Sequence, residues 1–213
     1  LRPVSDVGRQ QLSREIVEGH QRERVLGVAI EVFSKRGYRG TNVSHIVRAA
    51  KIGSPSFQSL FGDKEGCFLQ AYDRVLATAR ERIDAAVDPQ TSWPERLHSA
   101  MRALLELIEE SPLEARLVLV EAQTAGEAAI ARDQANLRAL AALLRQGRRH
   151  SPRGDELPET LESAVVSGLF WFLQQRISQG EAASATTFLP EVMEIVAEPY
   201  IGQQATSKLI AAG

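Results

Sequence analysis

Between Val43 and Lys64, two short apolar stripes at helical spacing are separated by only three residues, so the chain there must fold as a crossed pair of helices. Val43, Ile46, Val47 and Ala50 fall at i, i+3, i+4 and i+7. Lys51-Ile52-Gly53 forms the turn, with Ile52 placed to fill the angle and Gly53 free of Cβ constraint. Ser54 suits the N-cap of the second helix, and Pro55 its first position, where a missing N–H costs nothing. Phe57, Leu60 and Phe61 then share one face, leaving Pro55, Ser56, Gln58 and Ser59 outward. Aromatic anchors beneath and short polar or amide side chains above are what a helix needs to lie in a major groove. The layout is that of a helix-turn-helix reader of duplex DNA, not of an enzyme.

Regional charge agrees. The whole chain is net −2, but residues 1–66 hold 11 Lys/Arg against 7 Asp/Glu, giving +4, while residues 67–213 hold 14 against 20, giving −6. The basic segment is the one carrying the helix pair, as phosphate neutralisation requires.

The remaining pattern predicts an all-α protein, because strand-like alternation is rare and Ala, Leu, Glu and Arg dominate. Residues 1–19 read as a polar arm bearing Arg2, Arg9 and Arg14, partly mobile, with a short helix near Leu12–Glu18. A helix from His20 to Arg36 buries Val25, Leu26, Ala29 and Phe33 and stops at Gly37. Asn42 caps the next helix, and Asp63 caps a long one to about Val87, ended by Asp88-Pro89. Ser92…Glu95 and Ser111…Glu114 carry capping-box spacing and open helices at about 93–110 and 112–124. A further helix runs from about Glu127 to Arg149, where Arg145, Arg148 and Arg149 suit the negative end of the helix dipole. Two apolar helices follow, at about 158–179 and 185–198, the second interrupted by Pro199. The domains expected are therefore 1–19 (arm), 20–66 (helix-turn-helix) and 67–213 (helical body).

Other chemistry is missing from the sequence. The four histidines, His20, His45, His98 and His150, have no metal-ligand spacing, and no P-loop, nucleophile elbow or dinucleotide fingerprint occurs. Neither a metal nor a cofactor is expected. Cys67 alone cannot form an intrachain disulfide and reads as a small buried side chain in a reducing compartment. No apolar run reaches the roughly 18–20 residues that span a bilayer, so the expected location is cytoplasmic, with no membrane partner.

From about Leu12 to Tyr72 the sequence resembles the N-terminal domain of the TetR (tetracycline-repressor) family. The resemblance rests on Phe33…Arg36-Gly37-Tyr38, Thr41-Asn42-Val43…Ile46-Val47…Ala49-Ala50, Ile52-Gly53-Ser54-Pro55-Ser56-Phe57 and Leu60-Phe61-Gly62-Asp63-Lys64-Glu65…Phe68. The sequence departs from the family pattern where Lys51 replaces a glycine, where Gln58 replaces an aromatic residue, and where Ser59 and Leu60 replace Tyr or His. His45 also replaces an acid, so no capping box is expected at Asn42.

The resemblance implies a homodimer that sets two recognition helices on a pseudo-palindromic operator and is released by a small-molecule effector, most simply as a repressor. Ser54, Pro55, Ser56, Gln58 and Ser59 are the candidates for base and nearby phosphate contacts, and Thr41, Arg48 and Lys64 for phosphate. Met101, Leu105, Ile108, Val118, Phe170 and Trp171 are the candidate effector-pocket residues. Leu169, Phe172, Leu173, Val192, Ile195, Val196 and Tyr200 are the candidates for the dimer interface. The alternatives are an effector-independent DNA-binding regulator with a filled core, and a helical small-molecule carrier or enzyme using the same head.

Overall fold

The computed structural model describes residues 6–212, with side-chain surroundings from residue 16 to 211. Arg2 of the expected basic arm lies outside the described residues, as do the side chains of Arg9 and Arg14. Every regular element among the described residues is helical: α1 (Asp6–Arg36), α2 (Val43–Ala50), α3 (Ser54–Phe61), α4 (Lys64–Ala86), α5 (Trp93–Glu110), α6 (Pro112–Leu119), α7 (Glu127–Leu144), α8 (Leu161–Ser178), α9 (Leu189–Ile201) and α10 (Gln203–Ala212).

Helix α1 is longer than its sequence suggests, beginning at Asp6 rather than at His20. Interior glycines such as Gly19 cost a helix about 1 kcal/mol each, which weakens but does not end it. Its apolar stripe, Val25, Leu26, Ala29, Ile30 and Phe33, packs against Ile46 and Ala50 of α2, Phe57 and Phe61 of α3, and Phe68 and Tyr72 of α4. Leu117, Val118, Ala122 and Ala129 from the later helices complete the same cluster. The head is thus seated on the body by shared apolar packing. A second cluster gathers Leu105, Ile108, Val165, Leu169, Leu173, Val192, Met193, Val196 and Tyr200.

Several boundaries differ from expectation. Helix α6 ends at Leu119 and tightens into a 3₁₀ turn at Glu121–Thr124, and α7 does the same at Arg145–His150. Ser111 makes no side-chain cap, and Glu114 pairs with Arg74 at 3.6 Å instead. Arg148 does more than face the dipole. Its guanidinium grips the buried Glu162 at 2.6 and 3.0 Å and also donates to Leu157 O and Pro158 O. Pro199 falls in the last turn of α9, which continues to Ile201 before Gly202 separates it from α10. Cys67 is fully buried, and burial pushes its thiol up to about 12, so it stays protonated and inert.

Candidate nucleic-acid interface and internal cavity

Helix α3 divides by burial along its own circumference. Phe57, Leu60 and Phe61 are buried, while Ser54, Pro55, Ser56, Gln58 and Ser59 are all exposed. Phe57 and Phe61 lie 5.2 Å apart as a tilted ring pair, fixing the inner face. The N-cap is Gly53 rather than Ser54, which becomes the first helical residue, with Pro55 next. At the other end Gly62 takes φ +77°, a left-handed conformation that lets the chain turn directly into α4. Asp63 caps α4, its Oδ1 accepting from the Gly66 N–H at 2.7 Å.

Helix α2 is capped in a way the sequence disguises. Asn42 Oδ1 accepts from the His45 N–H and His45 Nδ1 accepts from the Asn42 N–H, both at 3.3 Å. A neutral imidazole therefore takes the place of the usual acid, and the capping box that His45 was expected to abolish is present. Desolvation first, then the Arg36 and Arg48 guanidinium groups, hold the His45 pKa below its ordinary value. Lys51 closes α2 at φ 51°, the position where the family pattern carries glycine.

Two expected phosphate ligands have other work. The Thr41 side chain is 2 % exposed and its hydroxyl donates to Gly37 O at 2.8 Å. Lys64 Nζ donates to Tyr38 O at 3.1 Å and Thr41 O at 3.0 Å and lies 4.1 Å from the Tyr38 ring centroid. Tyr38 O also accepts from the Thr41 N–H at 3.2 Å, and Lys64 adds a donor to it and to Thr41 O, so it fastens the α1–α2 turn rather than presenting a free ammonium. Arg48 is exposed and has no ion pair among the described residues. Arg39 and Lys51, which the motif did not single out, are also exposed on the head.

Behind the head is a cavity of about 360 Å³ lined by α4 to α9. Met101, Ile108, Val118 and Phe170 line it; Leu105 and Trp171 do not. Leu105 is fully buried in the second cluster, and Trp171 points outward at 63 % exposure. Arg80, Arg96, Leu104, Leu140 and Leu143 also line the cavity and were not anticipated. The one available signal was the α4 stripe running on past Val75 through Ala79 and Ile83, longer than the head needs.

Five of the expected dimer-interface residues are covered within the chain itself. Leu169, Leu173, Val192, Val196 and Tyr200 are 9 % exposed or less and belong to the chain's own core. Phe172 is half-buried against Phe188, with the Arg176 guanidinium 5.2 Å from its ring, and Ile195 is also half-buried. Helix α8 is apolar nearly all round, so periodicity could not say which side faces inward. The outward side carries Ala164, Ser167, Trp171 and Gln175.

A helix-turn-helix head thus sits on an all-helical body that holds an apolar cavity. Residues 25–71 match the family model for bacterial regulatory proteins of the tetR family. The chain is 26 % identical over 86 residues to the helix-turn-helix transcriptional regulator YhgD of Bacillus subtilis, covering 40 % of this chain and 45 % of that one. It is 32 % identical over 79 residues to the transcriptional repressor NicS of Pseudomonas putida, covering 35 % and 37 %. These matches span less than half the length of either relative. Among solved structures, a TetR-like transcriptional regulator from Rhodococcus sp. RHA1 superposes with a TM-score of 0.69 at 23 % identity, over 86 % of this chain and 97 % of that one. The fatty acid degradation regulator FadR of Bacillus halodurans gives 0.68 at 16 %, over 83 % and 94 %. The fold is shared along nearly the whole body. Residues 25–71 thus match the tetR-family model, the body shares its fold with TetR-like structures, and the relatives named are transcriptional regulators. Among the described residues no helix is long and apolar enough to cross a membrane.

Proposed function

We propose that this chain is a ligand-responsive transcriptional repressor that binds a pseudo-palindromic operator as a homodimer in the cytoplasm. The observation that carries the reading is the division of α3, where five exposed residues, Ser54, Pro55, Ser56, Gln58 and Ser59, stand over a buried aromatic base. Gln58 can pair bidentately with an adenine edge, worth about 1–3 kcal/mol of discrimination. Ser54, Ser56, Ser59 and Arg48 supply base-edge and phosphate contacts, with two heads about one helical turn apart. The exposed Trp171, beside the small residues Ala164 and Ser167 on α8, supports a pairing surface on that helix.

The apolar cavity favours ligand response over an effector-independent regulator with a filled core. Helix α6 lends Ala115, Val118 and Leu119 to the cavity, while Arg116 on the same helix donates to Ser34 O of α1 at 2.9 Å. A ligand that favours one placement of α6 then biases the head, by about 1–3 kcal/mol of coupling.

The test is a gel shift on the DNA upstream of the chain's own gene, titrated with salt. Specific binding that weakens steeply with salt supports the reading, with about 10³–10⁵ lost across a several-fold salt increase if about 6–10 phosphates are contacted. Binding to no upstream fragment, or equal binding to unrelated DNA, overturns it.

A further inference from the structure

The cavity wall is apolar nearly throughout, with Leu104, Ile108, Val118, Leu169, Phe170 and Leu173 along α5, α6 and α8. Its charged lining residues are Arg80, Arg96 and Glu114. Glu114 is offset by Arg74, 3.6 Å away. The two arginines are not offset among the described residues. Arg80 Nη2 donates to the neutral amide of Asn136 at 3.2 Å, and Arg96 Nη1 to the carbonyl oxygens of Thr91 at 2.6 Å and Pro89 at 3.5 Å. Each guanidinium carries five N–H donors, and these bonds use one or two of them.

Part of the lining faces solvent. Leu140 and Leu143 of α7 both line the cavity and face solvent, at 40 % and 60 % exposure. Opposite them stand Ile83 and Val87 of α4, and the Arg80–Asn136 bond spans α4 and α7 at this edge. A molecule entering there passes an apolar lip and a cation before it reaches the apolar interior. Arg80 is exposed and Arg96 half-buried, so two guanidinium groups without a carboxylate partner border the apolar space and favour an anion there, while the apolar interior favours a tail that makes no hydrogen bonds.

Resting on the effector-responsive reading above, we infer that the cavity takes an anionic amphiphile, with its apolar tail among the α5, α6 and α8 side chains and its carboxylate or phosphate at the mouth against Arg80 and Arg96. The guanidinium of Arg80 exchanges the Asn136 amide for the anion, which frees α7 from α4 at the mouth.

Calorimetric titration of the full chain tests this with hexanoate, decanoate and tetradecanoate, and with decyl phosphate, decanol and decyltrimethylammonium as arms. At least one anion is expected to bind about tenfold or more tighter than decanol, and the cation more weakly than either. A carboxylate or the phosphate binding better distinguishes the two head groups. Arg80→Gln and Arg96→Gln are each expected to weaken the anion about tenfold while leaving decanol unchanged. Decanol binding as tightly as every anion, or both variants weakening all probes alike, overturns the anionic head while the effector reading stands. An anion that binds but leaves operator affinity unchanged in the gel shift supports the ligand chemistry and overturns the effector reading. No heat from any probe overturns both.

Discussion

The carboxylate of Glu121 accepts a hydrogen bond from the backbone N–H of Tyr38 at 2.8 Å, joining the helical body to the turn that leads into the helix-turn-helix. Glu121 is 6 % exposed and is also paired with Arg116 at 3.4 Å, and Arg116 donates to Ser34 O. Ser34 in turn donates from its hydroxyl to Leu113 O at 2.6 Å. The C-terminal end of α1 is therefore held by a polar latch made by α6, which also lines the cavity, and by the 3₁₀ turn that follows it.

Glu121→Ala leaves the Tyr38 N–H without its acceptor and Arg116 without its carboxylate partner, although Arg116 keeps Ser34 O. It is expected to destabilise the fold by about 1–3 kcal/mol in a urea melt. The ligand-induced change in operator affinity is expected to shrink in the same variant, because the 3₁₀ turn that follows α6 loses its direct hold on the head. A melt and a ligand response both equal to those of the unaltered chain would remove the latch from the account.

Lys51 provides a stability test with the opposite sign. Its left-handed backbone costs an L-residue about 1–2 kcal/mol, part of which glycine gives back through its freer unfolded chain. Lys51→Gly is expected to raise stability by about 1 kcal/mol, read as a higher urea midpoint with an unchanged m-value. Lower stability would mean that the lysine side chain contributes more than the turn strains.

The α2 cap is pH-dependent because only a neutral His45 can accept the Asn42 N–H. The folded-state pKa is depressed below the ordinary 6.5, so the unfolded chain takes up this proton first as pH falls. The cap's contribution is present above the unfolded value and is lost as pH drops through the folded one. Thermal unfolding followed from about pH 8 to about pH 5 should show a fall in Tm that is smaller in His45→Gln, whose amide oxygen accepts at every pH. Parallel curves would contradict the titrating cap.

Trp171 carries the dimer prediction. Trp171→Arg should convert the dimer to monomer in sedimentation equilibrium and lower operator affinity steeply, with helicity unchanged, because the side chain is outside the core. A variant that stays dimeric would move the pairing surface elsewhere.

What the sequence made readable was mainly local. Asp63 and Asn42 as caps, Gly37 as a stop, and the inward set Phe57, Leu60 and Phe61 all follow from neighbours within a turn or two of chain. Distant neighbours decided the rest. Trp171 and Leu173 are two residues apart on a helix apolar nearly all round, and only the placement of the helices packed on α8 makes one exposed and the other buried. Leu105 and Ile108 share one stripe of α5, yet only Ile108 borders the cavity, because the space depends on which facing side chains stop short. The His45 cap is hidden in the sequence because an imidazole stands where an acid is usual, although its neutral form is an acceptor. The bonds that Thr41 and Lys64 make to the carbonyls of Gly37, Tyr38 and Thr41 depend on the folded α1–α2 turn and leave no trace in the residue pattern. Helix α10 lies beyond a proline and a glycine that, read along the chain, mark an end.

The most direct measurement is selection of binding sites from a random DNA pool by the unaltered chain and by Gln58→Ala, with circular dichroism and sedimentation run alongside. The account predicts an enriched pseudo-palindrome for the unaltered chain. In Gln58→Ala, base preference should relax by about tenfold at one symmetric pair of positions, in keeping with about 1–3 kcal/mol per bidentate contact, while fold and dimerisation hold. No enriched sequence for the unaltered chain, or the same preference in both proteins, would contradict the assignment of α3 as the reader of DNA.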